Sequence, residues 1–582
     1  MDERLPFSAP KRLRALVRSR ESSIIVLAAV VGAVGGLVVA GMGALVGLMH
    51  AGLFGIPFRQ RLSALPEIWP SQALIPAAGG IVLGLAFLAL ARWRPEPPVD
   101  PIEANALRGG RMSIRDSLVV AGQTVWSSGV GASVGLEAGY TQLASGLASW
   151  LGRLFHVRRN DLRLLVGCGA AGAIAGAFGA PLGGAFYAFE LVIGAYTPLG
   201  LAPVGIAALN GWLVARAFEP HAIELFTLSA HTITGHDLVT ASLLGLTAAF
   251  FGIGLMRGVE LWERLMRALR LPPPIRLGIG GVLVGGLALV TPQVLASGHG
   301  ALHVNAMLAL PLDLVATILI CKAAASIVSL GSGFRGGLFF ASLLLGALGG
   351  RLFAAAGNWL WPGAGLESDV YAVLGLGALS ASVIGGPLTM TFIVLETTGD
   401  FWLAAAVLIG VIVATVVTRE LFGYTFATWR FHLRGETIRS AADVGWIRDL
   451  TVGRMMRPDL KTVPRNTGLD DFRRLYPLGS ATRVVALDPE GRYAGMVIVA
   501  DAHGITDPGI RDIAPLLRLT ATMLKPTMNI REAALLFDRA EAEALAVTDM
   551  QNRPVGLLTE AYVLRRYADE SERRRREMLG EG

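Results

Sequence analysis

Two glycine-broken apolar blocks occur twice in this chain, in the same order and at nearly the same spacing. Residues 127–155 read SSGVGASVGLEAGYTQLASGLASWLGRLF, and residues 329–353 read SLGSGFRGGLFFASLLLGALGGRLF. Gly129, Gly131, Gly135 and Leu136 match Gly331, Gly333, Gly337 and Leu338 at one offset, 337 − 135 = 202. In the second block, Gly169, Gly179, Pro181, Leu182, Phe186 and Glu190 match Gly375, Gly385, Pro387, Leu388, Phe392 and Glu396, at 396 − 190 = 206. The difference of four residues falls in the loop between the blocks. Two ordered blocks at one spacing indicate an internal repeat. Apolar segments interrupted by Gly and Pro at matching places in two halves point to a transport site built from broken membrane helices.

The repeat lies in a chain with little to dissolve it in water. Of 582 residues, 53% are hydrophobic and 16% charged, and the mean hydropathy is +0.55. That balance marks a polytopic membrane protein whose partner is the lipid bilayer. The net charge of +7 does not argue for nucleic acid, because the basic residues crowd at the ends and in loops, as cytoplasmic segments of membrane proteins do. Cys168 and Cys321 both stand in apolar segments and offer neither a disulfide framework nor metal-ligand spacing. No nucleophile–base pair, metal cluster or phosphate loop argues for an enzyme.

Glu137 is the residue that such a chain can least easily bury. An ionisable side chain at membrane depth is expensive and is usually kept for a function. The glycines around it, Gly129, Gly131, Gly135 and Gly139, leave the backbone uncovered. A Gly-rich turn feeding a helix presents N–H groups at the positive end of the helix dipole, which suits an anion. On this reading residues 127–155 begin a broken helix aimed at an anion site, with Glu137 as a competing internal anion. The alternative is that the glycines only permit close helix packing and Glu137 pairs with a cation.

In chain order, residues 1–22 form a basic arm expected in the cytoplasm, with six Lys/Arg against three acids. Apolar spans follow at 23–50 and near 73–92. The Pro-rich stretch 95–101 cannot be helical throughout and is either a plain loop or an irregular segment entering the protein. The repeat units run from about 110 to 217 and from about 310 to 423. After Phe422 the composition shifts through a connector, with a linker at 436–452, to a small α/β module at 453–570. There VVALDPEGRYAGMVIVAD reads as strand, turn, strand, and NIREAALLFDRAEAE as an amphipathic helix. Residues 571–582 are a solvated charged tail.

The glutamate loop, the SGxxGGxFxx run and the two GxPL…E segments together resemble the CLC family of chloride channels and anion/proton antiporters, over about 23–435. The resemblance implies an α-helical polytopic membrane protein with an inverted internal repeat of broken, tilted helices. It implies a homodimer with one pathway per subunit in the cell inner membrane, with both termini cytoplasmic. Glu137 matches the family's gate, within Gly135-Leu136-Glu137-Ala138-Gly139. Phe339 matches the conserved phenylalanine of Gly337-Leu338-Phe339-Phe340-Ala341, whose proline is lost. Backbone groups of Gly135, Leu136, Ala138, Leu338, Phe339 and Phe340 would hold the anion. Lys322 also matches the pattern. Lys322 and Arg335 could line an attractive vestibule or act as structural partners of carboxylates. Glu190 and Glu396, each closing a GxPL segment, suggest helix packing or hydrogen bonding rather than proton transfer.

Three positions depart from the family. The first anion element aligns with Val99-Asp100-Pro101, so its serine falls at Pro98, which has neither hydroxyl nor N–H. The terminal tyrosine falls near Ala427, where Tyr424 or Phe426 could fill the space. The intracellular proton-transfer glutamate falls at Leu191. The chain is therefore expected to move a small inorganic anion, chloride or an oxyanion such as nitrate or bicarbonate, through a pathway gated by Glu137 and without the family's standard proton route. The alternatives are a proton-coupled chloride antiporter and a membrane-embedded anion sensor. The module at 453–508 and 520–570 resembles a pair of CBS motifs. The first keeps Asp501 but has Ile498 at the nucleotide-binding Thr, and the second keeps Thr559 but has Tyr562 at the Asp. This favours a structural or dimerising role over an adenine nucleotide cofactor.

Overall fold

The computed structural model describes residues 21–93, 98–218, 233–308, 310–433, 450–507 and 509–566, together with Pro10, Arg12 and Arg14. Most of the expected basic arm, the linker up to residue 449 and the charged tail lie outside the described residues. The chain divides into two compact units, Met1–Asp443 and Val444–Gly582.

The first unit is helical. Its elements are α1 (Glu21–Phe54), α2 (Ile75–Trp93), α3 (Pro101–Leu107), α4 (Ile114–Gly129), α5 (Glu137–Leu154), α6 (Arg159–Phe178), α7 (Pro181–Tyr187), α8 (Pro198–Phe218) and α9 (Gly235–Ala268). They continue with α10 (Pro273–Val290), α11 (His299–Met307), α12 (Leu312–Ser332), α13 (Phe339–Leu360), α14 (Ser368–Ile384), α15 (Pro387–Thr398), α16 (Phe401–Leu421) and α17 (Phe426–Leu433). Among the described residues, nine helices are long and apolar enough to cross a membrane. They are not equivalent. The apolar windows of α6 and α13 are 72% buried within the protein, against 39% for α1 and α8. Helices α6 and α13 thus form part of an inner layer, and α1 and α8 are more exposed.

The repeated sequence becomes repeated structure, with α4–α8 answered by α12–α16. In each copy the break has the same cause. Helix α6 ends at Gly179 with φ 67°, and α14 ends at Gly385 with φ 85°. Only glycine enters that left-handed region without strain, and the proline two residues on is pre-set for a helix start. The restarted helices α7 and α15 have unsatisfied N–H groups, and each receives a carboxylate from the other half. Glu396 accepts from the N–H of Leu182 and Gly183 at 2.8 and 2.9 Å. Glu190 accepts from the N–H of Leu388 and Thr389, both at 2.9 Å, and from the Thr389 hydroxyl at 2.6 Å. These reciprocal caps give the two matching glutamates the hydrogen-bonding role expected of them. The copies also differ: α7 passes into a π-helical turn at Ala188–Ile193, whereas α15 continues as one helix.

The second unit holds two small sheets. Strand β1 (Thr462–Pro464) runs parallel to β2 (Arg483–Leu487), which pairs antiparallel with β3 (Tyr493–Ile498), Arg483 opposite Ile498. Strands β4 (Ala544–Thr548) and β5 (Pro554–Thr559) form the second sheet, Ala544 opposite Thr559. Both hairpins turn on an aspartate. Asp488 accepts from the N–H of Glu490 and Arg492, and Asp549 from Gln551 and Arg553. Each is a side chain imitating a backbone turn. The amphipathic helix between the sheets spans Ile530–Ala540.

Candidate functional site

Two glycines bring the helix starts together. The N–H of Gly135 donates to the carbonyl of Gly337 at 3.0 Å, and the N–H of Gly337 returns a bond to Gly135 at 3.1 Å. This antiparallel bridge between the repeats sets the N-termini of α5 and α13 head to head. The amide groups at both starts converge on one place, and the helix dipoles make it positive.

The carboxylate of Glu137 occupies that place. Glu137 opens α5 and is 4% exposed. Its Oε1 accepts from the N–H of Phe340 at 2.7 Å, in the first turn of α13. Its Oε2 is buried with no hydrogen-bond partner among the described residues. A Cβ at Gly337 would stand 3.0 Å from Oε2, and one at Gly135 would collide with the carboxylate. A side chain at Gly135 would therefore displace the carboxylate, and one at Gly337 would press on it. Such a buried, half-satisfied anion is costly unless it can leave or be replaced.

Aromatic rings close the site. Phe339 and Phe340 pack on Phe178 at 4.4 and 5.4 Å between ring centres, and Tyr187 packs on Phe339 at 6.1 Å. His299 stacks on Phe340 at 3.3 Å and hydrogen-bonds Ser297. Gly135, Leu136, Glu137, Leu338, Phe339 and Phe340 are thus one cluster, with Ala138 half-buried beside it.

The first element is tied to the same helix. Gln142 on α5 donates to the Val99 carbonyl at 2.8 Å. Asp100 caps α3, its Oδ1 accepting from Ile102 and Glu103 at 2.8 and 2.9 Å. Pro98 is half-buried in the coil just before it.

The supporting residues divide. Lys322 is 0% exposed and donates to the carbonyls of Val294 and Ala296 at 3.1 and 2.8 Å, with its charge in reach of Glu137. Its hydrogen-bond partners are backbone oxygens, not carboxylates. The N–H of Arg335 donates to Ser127 Oγ at 3.0 Å, and its guanidinium lies 5.9 Å from the Phe87 ring centre. Phe426 packs on the core that contains Leu338 and Val383, while Tyr424 meets Trp429 edge-on at 6.2 Å. In the second unit, Asp501 pairs with Arg518 at 2.8 Å, Thr559 ends β5 and Tyr562 is exposed.

Sequence reasoning passed over Phe178, Tyr187 and His299. A histidine in the apolar run SGHGALHV and a tyrosine inside a GxPL segment were visible signals. Nothing local marks Phe178, which reaches the site through its ring contacts with Phe339 and Phe340.

Comparison with known proteins bears on the whole unit. Residues 79–419 match the family model described as voltage gated chloride channel, and residues 511–569 match the CBS domain. A ClcB-like chloride channel protein of Ralstonia nicotianae is 35% identical over 342 residues, covering 58% of this chain and 79% of that protein. The voltage-gated ClC-type chloride channel ClcB of Shigella flexneri is 30% identical over 356 residues, covering 60% and 84%. Among solved structures, a slow cyanobacterial Cl−/H+ antiporter aligns with a TM-score of 0.61 at 22% identity, over 71% of this chain and 97% of that one. A eukaryotic CLC transporter aligns at 0.60 and 19% identity, over 94% and 98%. These last two speak to the fold, and the family match and the ClcB identities to descent. With its broken-helix repeat, its opposed helix starts and its paired small sheets, this multi-pass membrane protein belongs to the CLC voltage-gated chloride channel family and carries a CBS pair near its C-terminal end.

Proposed function

We propose that the membrane unit, residues 23–435, transports a small monovalent anion, and that Glu137 is its gate. The observation that carries this reading is the buried carboxylate held by the Phe340 N–H at the meeting of two helix starts, with its second oxygen unpartnered. An anion and that carboxylate compete for one small, poorly solvated site, because two like charges cannot share it cheaply. Protonation or displacement of Glu137 empties the site, and the backbone around Gly135, Leu136, Ala138, Leu338, Phe339 and Phe340 then receives the anion. The segment Pro98–Val99 lies on the route beyond it.

The substrate is chloride or an oxyanion, and the donor set favours the oxyanion. Chloride is held best by several convergent point donors. Here the position aligned with a serine is Pro98 and that aligned with a tyrosine is Ala427. Nitrate or bicarbonate has several acceptor oxygens and can use backbone amides at differing angles. The protein works as a homodimer in the cell inner membrane with both termini cytoplasmic, and the CBS pair has a structural or dimerising role. The test is flux from liposomes containing the purified protein, with chloride, nitrate and bicarbonate compared. The expected result is flux without any added partner, with an oxyanion moving at least as well as chloride. No flux of any of the three refutes transport, and a clear preference for chloride over both oxyanions refutes the selectivity.

A further inference from the structure

We infer that His299 is a positioning residue for the gate: its ring clamps Phe340, fixes the N–H that holds the Glu137 carboxylate, and so sets how readily an anion displaces that carboxylate. The inference rests on the transport reading above and names a residue that regulates its gate.

A third repeated block leads to it. Asn105-Ala106-Leu107 and Asn305-Ala306-Met307 match at 305 − 105 = 200, which pairs the short helix α3 with α11 and Val99 with His299. Helix α3 packs on α5 and α11 on α13, the two helices whose starts meet at Glu137. Each matching residue fastens one of them. The Val99 carbonyl accepts from Gln142 of α5. His299 instead lies flat on the Phe340 ring of α13, with 3.3 Å between ring centres and 22° between planes. Phe178 stacks on the same ring at 5.4 Å and 11°. Phe340 is therefore held by two nearly parallel rings, and its N–H donates to Glu137 Oε1 at 2.7 Å.

The segment before His299 is built to hold it there. Ala296 sits at φ 50°, a left-handed value that alanine avoids, and Gly298 at φ 96°. Such backbone persists only where its surroundings over-determine it. Lys322 donates to the carbonyls of Val294 and Ala296, and the Ala296 N–H donates to the Gly131 carbonyl at 3.3 Å. A Cβ at Gly298 would stand 3.4 Å from Lys322 Cε. The Ser297 hydroxyl bonds Nδ1 of the imidazole and fixes the ring's orientation. A histidine in this place could relay a proton or hold a ring, and its neighbours decide. Lys322 and Arg61 face His299 and oppose a positive charge on it. Its contact is with the Phe340 ring, so it acts by packing. The titratable groups that face Glu137 are Lys322, Tyr140 and Tyr187.

The sign of the effect follows. The Phe340 N–H stabilises the ionised carboxylate, so loosening Phe340 favours the protonated or displaced form. The test measures initial nitrate and chloride efflux from liposomes holding the full-length protein, from acid to mildly alkaline pH. Wild type is expected to be activated by acid. In His299→Ala the midpoint of activation should move toward alkaline pH by about half to one unit, as partial loss of a hydrogen bond to a charged group produces. His299→Leu, which fills the space without a flat ring, should shift it the same way. His299→Phe, which restores a ring but not the bond to Ser297, should bring the midpoint back toward wild type. In a Glu137→Gln background, His299→Ala should change nothing further. A wild-type midpoint in both His299→Ala and His299→Leu overturns the inference. So does His299→Phe shifted as far as alanine, or an equal effect of His299→Ala in the Glu137→Gln background. Wild-type flux that is flat with pH removes the gate reading and this inference with it, and no anion flux at all removes transport as well.

Discussion

Replacing Glu137 by glutamine keeps the shape of the gate and removes its charge. In the wild type the ionised carboxylate is held by the Phe340 N–H at 2.7 Å and by the positive ends of α5 and α13. A hydrogen bond to a charged group contributes about 1.5–3 kcal/mol net, against about 1 kcal/mol for a neutral one. Glutamine can still accept from Phe340 but keeps only the neutral bond, so its hold on the site is weaker by about 0.5–2 kcal/mol. At about 1.4 kcal/mol per factor of ten, an anion should displace the amide about two- to thirtyfold more readily than the carboxylate. The sign of the pH effect follows. In the wild type, acid protonates Glu137, weakens its hold and raises flux, and base restores the competing anion. The variant has nothing to protonate, so its flux at sub-saturating anion should be high and flat with pH. The assay is initial anion efflux from liposomes across acid to mildly alkaline pH, for both proteins at equal reconstitution density. Wild-type rate with wild-type pH dependence in Glu137→Gln would remove the carboxylate from the mechanism.

Three further outcomes are expected. Pro98→Ser restores a hydroxyl on the aligned first element and should shift relative flux from nitrate and bicarbonate toward chloride; an unaltered anion order would put Pro98 outside the pathway. Glu190→Ala strips the cap from Leu388 and Thr389 and should lower the thermal midpoint in detergent, the lost acceptor costing about 1–3 kcal/mol; an unchanged midpoint with altered anion order would contradict its structural role. Lys322→Met leaves the Val294 and Ala296 carbonyls without their donor and should likewise destabilise by about 1–3 kcal/mol; a changed anion affinity at constant midpoint would instead return the lysine to the vestibule.

The architecture was legible because membrane burial leaves a chain few choices. A backbone at membrane depth must satisfy its own N–H and C=O groups, so apolar runs become helices and their breaks need Gly, Pro or an outside cap. Gly179–Pro181 and Gly385–Pro387 therefore announce helix breaks in the sequence itself, and their common spacing announces two halves. Glu137 was legible for the same reason, as a charge in a run that otherwise excludes charge. The α/β module could be read from its two Asp-based turns.

What the local pattern does not encode is which distant groups meet. Glu190 and Glu396 look alike in sequence, and only the packed repeat shows that each caps the other half's helix. Lys322 could be read as lining an attractive vestibule or as a partner of a carboxylate, and the fold gives it two backbone carbonyls. Helix periods and breakers act over a few residues, so they can be read along the chain. A site assembled from residues 99, 137, 187 and 340 depends on the order in which helices pack, and that is fixed by the summed burial of many side chains far from the site.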